Sequence, residues 1–197
     1  MYDLHSILIQ LKKEDTPLHG VMVRCVRCFY QWLDPTLWEG SALFELWAQE
    51  LELIYGDLRQ RLSPNAKTDA GSLGDRFGFD TPPELPRLLQ SIQTFYSVLI
   101  KLIAWNTLRG ATPEPPLTEL LSGKAFANRG IRNFCGDDWY IWPLDVWDPA
   151  LETQCEELRA CLESFDTCPE GSTLSPDSLS RICETVVPPT LRHALGE

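Results

Sequence analysis

The sequence predicts an all-α fold: an irregular multi-helix bundle with one aromatic-rich loop segment. Apolar residues recur at helical spacing in several stretches, and polar segments rich in Gly, Asp, Ser or Pro separate them. The clearest apolar stripe consists of Leu88, Ile92, Phe95, Leu99 and Leu102. No alternating strand pattern of useful length occurs, because the best candidate, Trp139–Trp147, carries Pro143 in its middle.

The apolar periodicity also places the individual helices. They are predicted at residues 3–14, 19–33, 39–62, 84–109, 116–126, 149–165 and 176–187. Asp148 and Ser175 are predicted N-caps, because each precedes a proline that suits the first helical position. The glycine- and serine-containing stretch 63–81 is predicted to be a mobile loop.

The length of 197 residues suits one domain or one and a half. We expect N-terminal helices of unknown role at 1–38 and a helical domain at 39–197. A single domain over 1–197 is the alternative.

Composition and charge exclude several classes of protein. A hydrophobic content of 44% is ample for a packed core. The net charge of −11 argues against a general nucleic-acid coat protein, although it leaves a local basic patch open. The N-terminus lacks the features of a signal peptide, and the longest apolar run, Tyr96–Trp105, is interrupted by Lys101 and too short to span a bilayer. Together with scattered cysteines, these features predict a cytoplasmic protein with no membrane partner.

Few residues carry recognisable chemistry. Cys25 and Cys28 form a C-x-x-C, but no second pair follows and both lie in a predicted helix, so we interpret them as small helix residues rather than metal or redox groups. His5, His19 and His193 are far apart, and no nucleophile elbow or phosphate-binding glycine loop occurs. We therefore predict no catalytic residue, no cofactor site and no metal site within this chain.

Two segments are unusual for a pure scaffold. Residues 128–134 place Arg129 and Arg132 around a glycine, and residues 137–147 hold several tryptophans. Arginines beside aromatic rings can form a stacking or phosphate-contact surface, or the rings can form a small core that fixes an irregular loop. We favour the core for the rings, because exposing so many would leave a large apolar patch. Arg24 and Arg27 form a second, weaker basic patch.

Over roughly residues 40–197 the chain resembles the helical region just upstream of the catalytic domain in large N6-adenine DNA methyltransferases. That family includes type IIG restriction-modification enzymes and the methylases of phage-defence systems. The segments that carry the resemblance are FELWAQELELIYGDL (44–58), QTFYSVLIKLIAW (93–105), GIRNFCGDDWYIWPLDVWD (130–148), CEELRACLESFD (155–166) and VVPPTLRHALGE (186–197).

The resemblance implies a position immediately before the methyltransferase domain. In the family, an arginine and a Leu-Gly-Glu like those at Arg192 and Leu195–Glu197 lead into the Tyr-Thr-Pro segment that opens that domain. Neither the family's Asp-Pro-x-x-Gly-x-Gly cofactor loop nor its Asn/Asp-Pro-Pro-Tyr/Phe catalytic loop occurs here. The family helix at 93–105 often begins with a histidine, where this chain has Gln93. We therefore expect a fragment that ends before its catalytic domain, with Gly196-Glu197 as a fragment end.

These observations predict a non-catalytic helical domain of a site-specific DNA adenine methyltransferase. It braces the catalytic domain, which binds S-adenosylmethionine in the parent enzyme, and it contacts DNA or a partner subunit of a defence system. The candidate DNA contacts are Arg129, Arg132 and Asn133. The alternatives are a stand-alone acidic helical interaction module or DNA mimic, and a small zinc or thiol-redox protein built on Cys25 and Cys28.

Overall fold

A computed structural model describes residues 4–34, 36, 41–55, 74–108, 113–135, 140–163, 165, 181–182 and 184–185. This part of the chain is helical and contains no strand, which confirms the predicted all-α class. The elements are α1 (Leu4–Lys12), α2 (Pro17–Trp32), α3 (Ser41–Tyr55), α4 (Leu85–Leu108), α5 (Leu117–Leu121), α6 (Lys124–Ala127), a 3₁₀ turn (Trp142–Leu144) and α7 (Pro149–Glu163).

The core lies where α2 packs against both α4 and α7, with α1 against α2. Each of these helices has an apolar stripe at helical spacing, and burying the stripes against one another removes them from water. On α2 the stripe runs through Leu18, Met22, Val26 and Phe29, all fully buried. The described part of residues 1–38, whose role the sequence left open, therefore shares one core with the helices that follow.

Helix α2 begins two residues before its predicted start because Thr16 caps it. The Thr16 hydroxyl accepts a hydrogen bond from the His19 backbone N–H at 3.4 Å, and Pro17 occupies the first helical position. The same hydroxyl lies 2.8 Å from the Lys13 carbonyl, just beyond the end of α1. One side chain thus fixes the turn between the first two helices.

Helix α7 begins as predicted. The Asp148 carboxylate accepts a hydrogen bond from the Leu151 N–H at 2.8 Å, and Pro149 follows the cap. The second predicted cap, Ser175, and most of the predicted helix 176–187 lie outside the described residues. Within that range Arg181, Ile182, Glu184 and Thr185 are helical.

The predicted helix at 116–126 is instead two short helices, α5 and α6. The break falls at Gly123, whose φ of +80° is left-handed. A Cβ added at Gly123 would lie 2.0 Å from the Phe134 carbonyl oxygen, so the chain at 134 approaches too closely for any side chain. The prediction of a continuous helix was wrong because apolar periodicity does not report this long-range contact.

The predicted loop at 63–81 is described only from Gly74 onward, and that part contains a helical turn. The turn ends in a Schellman motif at Gly78, with the Phe79 N–H donating to the Gly74 carbonyl at 2.9 Å. Phe77 in this turn is fully buried. The prediction of a loop was based on the polar composition of this stretch. That composition does not indicate that one apolar ring is buried and anchors a helical turn.

Helix α4 is the one described helix that is long and apolar enough to cross a membrane, but 72% of its most apolar window is buried inside the protein. Its neighbours are α2, α5 and α7. It is therefore the core helix of this fold. The buried polar residues along it, Gln90, Ser91, Thr94 and Lys101, separate it further from a lipid-facing helix.

Substitution at Gly123 tests the close approach that breaks α5 from α6. We expect Gly123→Ala to lower the free energy of unfolding by roughly 3 kcal/mol, because it adds a backbone clash to left-handed strain. Gly130→Ala is the matched control: its φ is +79°, but nothing lies within 4 Å of the added carbon. It should cost only about 1 kcal/mol. Urea denaturation followed by circular dichroism measures both, and equal losses would contradict the close approach.

Candidate nucleic-acid interface

The loop that carries the candidate DNA contacts leaves α6 through a Schellman motif. The Ile131 N–H donates to the Phe126 carbonyl at 3.0 Å, and the Gly130 N–H donates to the Ala127 carbonyl at 2.9 Å. Gly130 supplies the left-handed φ that the motif requires. The motif sets the direction of the chain just after Arg129.

Aromatic packing holds the far side of this loop. The Phe134 ring lies 4.3 Å from the Phe126 ring, centroid to centroid, and Phe126 packs edge-on against Trp105 of α4 at 5.7 Å. The Cys135 thiol donates to the Gly123 carbonyl at 3.1 Å. Residues 131–135 are therefore pinned at both ends, so the residues between Gly130 and Phe134 have a defined position.

Arg129 points back onto the protein. Its guanidinium carbon lies 4.9 Å from the centre of the Trp105 ring, and Nη1 donates a hydrogen bond to the Leu108 carbonyl at the end of α4. A cation at a helix C-terminus pairs with carbonyls that lack a partner inside the helix. Although the residue is exposed overall, its charge is already engaged.

Arg132 and Asn133 point away from the core. Both residues are exposed, and within the described part of the chain no hydrogen bond or ion pair engages either side chain. The structure therefore separates the three candidate contacts, with Arg129 turned inward and Arg132 and Asn133 turned outward.

One of the two arginines in the weaker basic patch on α2 is paired with a carboxylate. Arg24 forms an ion pair with Glu157 of α7 at 2.6 Å. Arg27 lies over the Phe79 ring, 5.8 Å from its centre. Arg24 is therefore engaged by a carboxylate, whereas Arg27 contacts the Phe79 ring.

Other basic residues serve helix ends. Arg87 of α4 donates to the Tyr30 carbonyl at 2.6 Å, Lys101 of α4 donates to the Leu121 carbonyl at 2.8 Å, and Arg76 donates to the Thr185 carbonyl at 2.7 Å. The first two carbonyls lie in the last turn of α2 and at the end of α5, and the third belongs to Thr185, which is helical. Sequence reasoning missed this use of positive charge, because the partner carbonyls are distant in the chain.

The aromatic segment that precedes α7 is part of the core. Trp142 is fully buried; its Nε1 donates to the Thr94 hydroxyl at 2.9 Å and its ring meets Phe29 edge-on. The Tyr140 hydroxyl donates a hydrogen bond to Oε1 of Gln93 at 2.9 Å. Trp142 is thus unavailable for stacking on bases, as the core interpretation expects. Trp139 lies outside the described residues.

The cysteines of the C-x-x-C lie at the α2–α7 interface. Cys25 is buried, and its thiol contacts the Gln154 carbonyl at 3.5 Å. Burial raises the pKa of Cys25 well above its usual range, that of Cys28 to about 11 and that of Cys155 to about 12. Thiols that hold their protons at neutral pH are poor nucleophiles and poor metal ligands, which argues against the thiol-redox alternative.

Metal-ligating residues are not grouped in the part of the chain that the structure describes: no set of three or more His, Cys, Asp or Glu residues there could hold an ion. His19 is buried at the start of α2, and burial together with the Arg76 charge lowers its pKa. His193 and the side chain of His5 lie outside the described residues.

The chain was compared with known proteins, and nothing matches: no family model, no curated protein and no solved structure is similar to it.

Two single substitutions test the different roles of the loop arginines. Arg129→Ala should lower the free energy of unfolding by about 1–2 kcal/mol, because it removes the contact with Trp105 and the hydrogen bond that caps α4. Arg132→Ala should change it by less than about 0.5 kcal/mol, as is usual for an exposed surface residue. Urea denaturation measures both, and equal effects would show that Arg129 is not engaged as described.

The buried thiols predict a pH dependence of stability. Because the folded pKa values of Cys28 and Cys155 are raised to about 11 and about 12, these groups stabilise the fold fully below their unfolded pKa of about 8.5. That contribution is lost as the pH rises through the folded values. We expect the urea midpoint to fall between about pH 9 and pH 11, and to fall less steeply in a Cys28→Ala/Cys155→Ala variant. Identical slopes in the two proteins would contradict the assignment.

Proposed function

We propose that this chain is a non-catalytic helical domain of a site-specific DNA adenine-N6 methyltransferase. Its function is to brace the catalytic domain and to contact DNA or a partner subunit of a defence system. The all-α fold agrees with this proposal, and the sequence resemblance over roughly residues 40–197 motivates it. Under the proposal the parent enzyme is cytoplasmic and binds S-adenosylmethionine outside this domain.

The observation that carries the DNA-contact part is the rigid loop that presents Arg132 and Asn133. The Schellman motif at Gly130 and the buried contacts of Phe134 fix the backbone on both sides of these residues. An ordered loop loses little backbone entropy on binding, which favours a defined contact.

The chemistry of the two side chains fits phosphate contact. An arginine guanidinium binds phosphate through charge-assisted hydrogen bonds, and an asparagine amide donates to phosphate oxygens. Such contacts set the position of a protein on the duplex and carry no base sequence directly. The loop is therefore proposed to position DNA, while target recognition resides elsewhere in the parent enzyme.

Charge limits how much affinity this domain can contribute. With a net charge of −11, most of its surface repels phosphate, so the chain alone should bind DNA weakly. Arg129 contributes indirectly under this proposal, because its guanidinium is held against Trp105 and Leu108.

DNA binding by the complete methyltransferase tests the proposal. We expect Arg132→Ala to weaken binding and to reduce the slope of log K against log salt by about one unit, the value for one lost phosphate contact. Arg27→Ala removes the same charge from α2, where the guanidinium lies over Phe79, and serves as the control. It should leave both quantities unchanged. If Arg132→Ala also leaves both unchanged, the loop does not contact DNA.

The non-catalytic part has a separate test on the 197-residue chain. Titration calorimetry with S-adenosylmethionine and a methylation assay on adenine-containing duplex DNA should both give no signal. Binding of the cofactor or transfer of a methyl group by this chain alone would overturn the proposal.

A second candidate function is an acidic helical interaction module. The observation that favours it is helix α3, where exposed glutamates and leucines share one surface and the helix contains no basic residue. A module of this kind recognises a basic partner, and a DNA mimic is its extreme case.

A further inference from the structure

Among the described side chains of α3, apolar residues lie on two faces of the helix, one buried and one exposed. Trp47 is buried, with 5% of its surface exposed, and Phe44 stacks on it at a centroid distance of 6.0 Å. Trp47 belongs to the buried core cluster, and Phe44 packs against that cluster. On the other side, Leu46 is 53% exposed and Leu53 is 84% exposed.

The two leucines form a short ridge. They are seven residues apart, which is two helical turns, so they lie on the same face roughly 10 Å apart along the axis. The other large hydrophobic residues exposed in the described part of the chain, Ile9 and Leu108, lie on different helices. Leu46 and Leu53 are therefore the pair that presents apolar surface in register along one helix.

Carboxylates surround this ridge. Glu50 is four residues after Leu46 and three before Leu53, so it lies between them on the same face. Glu45 and Glu52 flank the ridge, and all three glutamates are exposed. No ion pair engages any of them among the residues that the structure describes, and α3 has no lysine or arginine of its own.

We propose that α3 is a docking surface for a basic amphipathic helix of a partner protein. Leucines at i, i+3, i+4 and i+7 of such a helix pack along the Leu46–Leu53 ridge, as in other helix-to-helix recognition. Lysines or arginines beside its apolar stripe then meet Glu45, Glu50 and Glu52. Charge complementarity selects a basic partner helix, and packing along the leucine ridge sets the register of the two helices.

The same charges disfavour other occupants. A second copy of this chain would bring Glu50 against Glu50 and two net charges of −11 together. An anionic membrane surface would be repelled for the same reason. The inference does not depend on the DNA-contact proposal, because α3 and the loop at 129–133 are separate elements.

A designed peptide can test this on the 197-residue chain. The probe is a helical peptide of about 15 residues, with leucines at i, i+3, i+4 and i+7 and lysines on both flanks. The matched peptide has the same composition, with its leucines scattered around the helix. Binding is measured by titration calorimetry, and the contact surface by amide chemical-shift changes in NMR spectra.

We expect the patterned peptide to shift α3 amides and to bind about tenfold more tightly than the scattered one. Leu46→Ser/Leu53→Ser should weaken its binding about tenfold, while Ile9→Ser should leave it unchanged. Glu50→Gln should weaken binding and make it less sensitive to salt. The urea midpoint of each variant checks folding, and no change is expected because the substituted residues are exposed.

Three outcomes would overturn the proposal. Equal binding of the two peptides would mean that only net charge is recognised. Unaltered binding by a folded Leu46→Ser/Leu53→Ser variant would place the contact elsewhere. A concentration-dependent dimer in light scattering that Leu53→Ser abolishes would show that a second copy occupies this face.

Discussion

Burial of α4 along most of its length is the constraint around which the rest of the structure is arranged. A helix enclosed on several sides buries polar groups, and pairing such a group avoids a cost of about 1–3 kcal/mol. Thr94 therefore receives the Trp142 N–H, Gln93 receives the Tyr140 hydroxyl, and Lys101 reaches the Leu121 carbonyl. These contacts fix the aromatic segment and α5 against α4. The irregular segments that follow α4 are therefore positioned by their contacts with this one regular helix.

The carbonyl groups at the helix ends also need hydrogen-bond donors, and several basic side chains supply them. Arg87, Lys101 and Arg129 each donate to a carbonyl at or near the end of a helix. Arg159 likewise joins α7 to the proline segment before α5, through the Pro115 carbonyl and Glu114. These cations therefore use hydrogen-bond donors within the fold that would otherwise be open to solvent.

Periodicity predicted the long helices well, because burying one face leaves a repeat of 3.6 residues in the sequence. The caps at Asp148 and Thr16 show the limits of local reasoning. Asp148 was found because proline follows it, whereas Thr16 was overlooked although Pro17 follows it in the same way. The break at Gly123 and the inward turn of Arg129 could not be predicted, because each depends on a partner brought close only by the fold. The sequence shows which positions carry charged side chains, but it does not show which way those side chains point in the fold.

An acidic domain beside DNA is consistent with the proposed function when contact is confined to one place. Phosphate is attracted only where a cation is exposed and unpaired, and Arg132 meets that condition on a backbone fixed by Gly130 and Phe134. Under that proposal, the net charge of −11 disfavours contact between the duplex and the rest of the surface. Such a domain adds little affinity, yet it restricts where DNA can lie relative to an adjoining catalytic domain. Under the proposal, this domain therefore contributes to the position of the DNA rather than to the affinity for it.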